Sequence, residues 1–128
     1  MFKKLKLKKI INSNGELTVA QLNSNFIIKR IFSIKAKKNS IRGEHAHKKC
    51  RQILYCLEGE IKVELTNGLK KKTIILTPKS DAILIPCYTW ASQKFNKRNS
   101  ILNVICDKNF SESDYIRDYQ KFLRIKKI

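Results

Sequence analysis

The chain has 128 residues and a mass of 15.0 kDa, a length for one domain, and its 42% hydrophobic and 30% charged residues exclude a disordered or fibrous protein. No apolar run approaches the roughly 20 residues that cross a bilayer, and Lys6, Lys8 and Lys9 interrupt the basic start before a signal-peptide core can form. Export and membrane insertion are not expected, and a cytoplasmic location is.

Four Gly and two Pro punctuate short runs rich in Ile, Val, Leu, Tyr and Phe, the pattern of strands. At the N-terminus, Lys6 to Ile11 and Leu17 to Leu22 predict a hairpin about Asn14-Gly15, placed to complete a barrel or to exchange with a partner chain. Phe26-Ile27-Ile28 and Ile31-Phe32-Ser33-Ile34 read as strands flanking Lys29-Arg30, and Gln52 to Leu57 as a largely buried one. Ile61, Val63 and Leu65 alternate with Lys62 and Glu64, which is period two with one wet face. Asn67-Gly68 signals a turn into a return strand over Lys72 to Leu76. Ala82 to Ile85 and Ile101 to Cys106 complete the set. In the tail, Ser111 to Asp114 can cap a helix on which Tyr115, Ile116, Tyr119, Phe122 and Leu123 share a face. The fold class is all-β, a sandwich or barrel closed by hairpins with one terminal helix.

A net charge of +18 raises nucleic acid as a partner, because phosphates reward cationic side chains. The excess is lysine, with 22 Lys against 6 Arg beside 18 Ile and 10 Asn, all types with A/T-rich codons. Base readout and phosphate clamps favour arginine forks. No specific nucleic-acid partner is expected, while a small anion such as a sugar nucleotide is compatible. Cys50, Cys56, Cys87 and Cys106 form no C-x-x-C or zinc spacing and read as reduced thiols, the last three as small core residues.

Chemistry concentrates in Arg42-Gly43-Glu44-His45-Ala46-His47-Lys48, which holds both histidines of the chain. On a strand, residues i and i+2 project from one face, so the two imidazoles point together, into a barrel mouth. The H-x-H has the spacing of the first cupin metal motif, with Gly59 in register, but Gln52 stands where the acid belongs. After Pro86 the chain reads Cys87-Tyr88-Thr89-Trp90-Ala91, with no third histidine. Two imidazoles and a neutral amide make a poor divalent-cation site, so no metal is expected. The histidines are then free for proton transfer near neutral pH. Arg42 and Arg30 suit a phosphate or a developing oxyanion. Trp90 either stacks on a sugar or base or fills the core, and Gln52 either orients a histidine or sugar hydroxyl or is a hydrogen-bonded core amide.

The R-G-E-H-A-H-K heptad, the Gln52 to Gly59 segment and the tail Asp114-Tyr115-Ile116-Arg117-Asp118-Tyr119-Gln120-Lys121-Phe122 resemble the cupin-type sugar 3,4-ketoisomerases, which act on dTDP-4-dehydro-6-deoxy-D-glucose. Asn14-Gly15-Glu16-Leu17 and Ile28 to Phe32 extend the resemblance over nearly the whole chain. It implies a single cupin (jelly-roll) domain over 1–128, with 1–25 as an N-terminal hairpin and 111–128 as a C-terminal helix. It also implies a homodimer, exchange of N-terminal strands included, and a cofactor-free isomerisation serving deoxysugar synthesis for surface polysaccharides. The chain departs from the family pattern at Thr89-Trp90, at Ser33 and at Asn14, positions expected to line the sugar pocket with Trp90. The expected mechanism passes through an enediol: His47 is the base at carbon and His45 its orienter or the proton carrier between oxygens, or the reverse. Two other readings stay open. One is a sugar-nucleotide epimerase, whose His-Asp dyad and acid-donating Tyr are not identifiable in the sequence; the other is a silent sugar-nucleotide-binding module.

Overall fold

The structure is a computed structural model that describes residues 1–127. Three short strands lead the chain: β1 (Lys3–Leu5), β2 (Lys8–Asn12) and β3 (Gly15–Val19). Then come β4 (Arg30–Lys35), β5 (Ile41–His47), β6 (Gln52–Glu58), β7 (Ile61–Thr66), β8 (Lys71–Leu76), β9 (Ala82–Ile85), β10 (Trp90–Phe95) and β11 (Ile101–Cys106). A 3-10 turn at Glu112–Asp114, a two-residue strand β12 (Tyr115–Ile116) and a helix α1 (Tyr119–Ile125) close the chain.

One sheet has the order β1-β9-β6-β11-β4 and the other β12-β5-β10-β7-β8. From β4 to β11, the first strand pairs with the last and the second with the next to last, all antiparallel. This is the double Greek key of a jelly-roll barrel. Leu54, Val63, Leu65, Ile83, Phe95, Leu102 and Val104 fill the space between the sheets. The apolar run of β6 has a second role: Ile53 faces outward and is covered, with Ala82 and Ile105, by Phe26, Leu5, Leu7 and Leu22. A third cluster lies on the outer face of the other sheet, where Ala46, Ile116 and Phe122 pack beneath Trp90 and Tyr119.

Several expectations hold closely, among them the β7–β8 hairpin. There Asn67 Oδ1 accepts the Leu69 and Lys70 N–H groups at 2.9 Å each and bends the chain without β-structure. Others are corrected. Phe26 to Ile28 is no strand: the Phe26 N–H donates to the Asn23 carbonyl at 3.0 Å in a turn, and its ring is buried below Arg51. The N-terminal hairpin is shorter than its predicted arms, with Ile10 opposite Leu17 and the turn at Ser13-Asn14. The tail does not begin its helix at Ser111. Tyr115 and Ile116 are extended and pair with His47 and Ala46, and the cap is Asp118, whose Oδ1 accepts the Lys121 N–H at 3.0 Å. An aromatic and a β-branched residue beside the open edge of β5 gain more by joining the sheet than by one more helical turn.

Candidate active site

β5 carries the two histidines on one face, and a kink aims them. Gly43 has φ +84° and Glu44 φ +58°, and the pairing with β10 shifts register at the same level, between Ala91 and Ser92. The positive φ at Gly43 favours glycine, and a Cβ there would crowd Gln93 Oε1 at 2.6 Å and the Ala91 carbonyl oxygen at 3.0 Å. The Gly43 carbonyl lies 3.0 Å from His45 Nδ1. A carbonyl only accepts, so Nδ1 carries the proton and Nε2 has a bare lone pair.

His47, 6% exposed, sits one layer deeper. Its Nδ1 is 2.9 Å from Asp114 Oδ2, and the other oxygen of that carboxylate accepts the Lys49 N–H at 2.6 Å. The carboxylate fixes the same tautomer in His47, and its Nε2 is buried without a partner. The rings meet edge to face at 4.9 Å, and Tyr115 packs against both, at 4.8 and 4.3 Å. Arg117, bound to Glu112 at 2.7 and 3.1 Å, covers the far face of Tyr115 at 4.2 Å.

Burial, with the neighbouring His47 and the charges of Arg117 and Arg30, lowers the His45 pKa to about 4, against a weaker lift from the Gly43 carbonyl. Burial also depresses His47, outweighing its hydrogen bond to Asp114. Burial pushes Asp114 up, but the His47 hydrogen bond and the Lys49 N–H bring it below its ordinary value. At neutral pH the site therefore holds two uncharged imidazoles over one carboxylate.

His45 opens on a cavity of about 340 Å³ between β4, β5, β6, β10 and β11. Arg42, Gln52, Gln93 and Tyr115 make its polar wall, and Phe32, Ile34, Leu54 and Val104 its apolar one. A small void lined by His45, His47, Gln52 and Thr89 continues beneath it. Gln52, buried, points its amide to Cys106 Sγ at 3.4 Å. Arg30 stands behind the wall, with its guanidinium over Phe32 and Phe110 and a nitrogen 3.5 Å from Cys106 Sγ.

Three expected pocket residues lie elsewhere in this chain. Along β10, Ala91, Gln93 and Phe95 point inward, so Trp90 points outward, onto Tyr119 and Phe122 of α1 at 5.1 and 5.7 Å. Ser33 alternates with Phe32 and Ile34, which face the cavity, and bonds Asn103 across the outer face at 2.7 Å. Asn14 is exposed at the tip of the β2–β3 hairpin, its N–H donating to Asn12 Oδ1. Conversely, Asp114, Tyr115, Gln93 and Arg117 are site residues that the spacing of the sequence did not single out. The His-Asp pair not identifiable in the sequence is present as His47–Asp114, with Tyr115 beside it.

The chain matches the family described as FdtA: WxcM-like, C-terminal over residues 2–127. It is 34% identical over 123 residues to the TDP-4-oxo-6-deoxy-alpha-D-glucose-3,4-oxoisomerase of Aneurinibacillus thermoaerophilus, covering 94% of this chain and 88% of that one. Among solved structures it is similar to QdtA, a sugar 3,4-ketoisomerase from Thermoanaerobacterium thermosaccharolyticum in complex with TDP, with a TM-score of 0.90, 32% identity and coverage of 98% and 94%. WlaRA, a TDP-fucose-3,4-ketoisomerase from Campylobacter jejuni, aligns with a TM-score of 0.86, 34% identity and coverage of 98% and 95%.

Proposed function

The chain belongs to the FdtA family of WxcM-like, C-terminal proteins, and from that premise we propose that it is a nucleotide-sugar 3,4-ketoisomerase acting on dTDP-4-keto-6-deoxyglucose. One observation carries the chemistry: two neutral imidazoles, each with Nδ1 tied to an acceptor and Nε2 bare, sit side by side at the end of a cavity.

The C4 carbonyl acidifies the C3 proton. His45, which lines the cavity, takes that proton on Nε2 and leaves an enediol(ate); the protonated ring exchanges with solvent and then delivers a proton to C4. The pair of electrons moves from the C3–H bond to the C4 centre, so the 3-keto isomer forms with no redox cofactor. The hydroxyl proton of O3 must reach O4. His47, held by Asp114 and with an unpartnered Nε2 at the deep end, suits that transfer. Of the two assignments that the sequence leaves open, the depth of the rings favours this one. Arg42 at the cavity mouth suits the diphosphate or the developing oxyanion.

The assembly we propose is a homodimer of one-domain subunits. The β2–β3 hairpin pairs with no other strand among the described residues, and Ile10, Ile11 and Leu17 on it are exposed. Such a flap suits exchange with a second copy, which would bring Asn14 to a partner's surface.

The His47–Asp114 pair beside Tyr115 also fits an epimerase, which removes a proton next to a retained keto group. Incubation with dTDP-4-keto-6-deoxyglucose in heavy water, read by NMR, separates the two. Deuterium at C4 of a 3-keto product is expected, and deuterium at C3 or C5 with the 4-keto group retained refutes the isomerase. His45→Asn should reduce turnover about 10²–10⁴-fold while leaving affinity for dTDP unchanged; near wild-type turnover by that variant returns the role of base to His47.

A further inference from the structure

Gln93 takes no part in the proton transfers above, yet its environment is unusual for a core amide. It lies on β10 with its side chain turned into the cavity, and it is 6% exposed. Among the described residues its amide makes no hydrogen bond. The amide atoms are not among the side-chain atoms sealed from solvent without a partner, so their hydrogen-bonding capacity opens on the cavity and on whatever enters it. A leucine or methionine would fill this volume but offer an incoming ligand no hydrogen bond.

The amide lies against Gly43, whose missing side chain makes room for it and whose carbonyl holds His45 Nδ1. An oxygen bound by Gln93 therefore sits at the edge of the cavity nearest the base. The facing wall of Ile34, Leu54 and Val104 offers nothing to a hydroxyl and suits a methyl group.

The geometry points to Gln93 as a specificity-determining residue: its amide binds an oxygen of the hexose ring beside His45, while Ile34, Leu54 and Val104 receive the methyl of a 6-deoxy sugar. This inference rests on the ketoisomerase reading and deepens it. The amide carries both a donor and an acceptor, so it serves a hydroxyl before the proton shift and a carbonyl after it, without itself titrating. It acts as a neutral clamp in a site whose base must stay uncharged.

The test compares wild type with Gln93→Leu and Gln93→Met in thermal unfolding, calorimetric titration with dTDP, and turnover of dTDP-4-keto-6-deoxyglucose. Both variants should melt within a few degrees of wild type, because the amide opens on the cavity and bonds no other residue. Affinity for dTDP should stay within about twofold, and kcat/KM should fall roughly 10- to 100-fold. Folded variants with wild-type kcat/KM would overturn the inference. So would a melting temperature lowered in both variants together with weaker dTDP binding, which marks a structural amide. If wild type itself gives no turnover while binding dTDP, the ketoisomerase reading fails first, and the wild-type control tells the two failures apart.

Discussion

Replacing Asp114 by asparagine isolates what the carboxylate does for His47. The side chains are nearly the same size, and the asparagine oxygen can still accept the Lys49 N–H, now held at 2.6 Å. The 2.9 Å partner of His47 Nδ1 then becomes an amide nitrogen, a donor, which favours the tautomer with its proton on Nε2. That nitrogen could no longer receive the O3 proton. A misassigned general base typically costs about 10²–10⁴ in rate, and we expect kcat to fall in that range with KM and dTDP affinity little changed. Stability should fall as well, because a charge-assisted hydrogen bond within a site this buried contributes about 1.5–3 kcal/mol. In a chain of this size that lowers the melting temperature by roughly 6–12 °C at matched protein concentration. Steady-state kinetics and calorimetry on one preparation check both numbers. A variant that melts early but keeps kcat within threefold would refute the reasoning: Asp114 would be a brace for the tail, and His47 would not carry the proton.

Acid should act on fold and rate together. His45 has a folded pKa of about 4 against an ordinary 6.5, so the unfolded chain binds more protons between these values. Its contribution is intact above pH 6.5 and is lost as pH falls toward 4, on the order of 3 kcal/mol, with the depressed His47 acting in the same direction. Urea titrations from pH 8 to 4 measure this, and the acid limb of kcat/KM should lie well below pH 6; flat stability across that range would contradict the burial of the rings. Gly43→Ala places a methyl on a backbone at φ +84° and against the Gln93 amide. It should cost about 1–3 kcal/mol in urea unfolding and lower kcat besides, since the Gly43 carbonyl orients His45. Unchanged stability would mean the kink of β5 is dispensable.

The sequence was most legible where local chemistry decides structure. Alternation in Ile61 to Leu65 with an Asx turn at Asn67 sufficed for the β7–β8 hairpin, and period two sufficed to bring His45 and His47 to one face. It was least legible where phase or distance decides. Trp-Ala-Ser-Gln-Lys-Phe conceals β10, because the inward positions are a small residue, an amide and one phenylalanine, while the tryptophan is outside. Ser33 was misread for the same reason, one step out of phase with Phe32. Asp114 is 67 residues from His47, and its tail carries a helix-like spacing that Tyr115 and Ile116 do not follow. Only the open edge of β5 decides their conformation.

That long-range closure also orders events during synthesis. Within the barrel, β7–β8 is the one pairing between consecutive strands; the others wait for chain made much later, as Ile101 must return to Lys35. Folding that depends on such remote partners is slow. By Cys106 every barrel strand has been translated, yet His47 has no acceptor until residue 114 follows. Catalytic competence therefore waits on the tail, which is made after the double Greek key. A product cut short in that interval would lack the acceptor of His47 and also the Ile116 and Phe122 that cover the outer face of β5, so the proton relay and one of the three apolar clusters are lost by the same break.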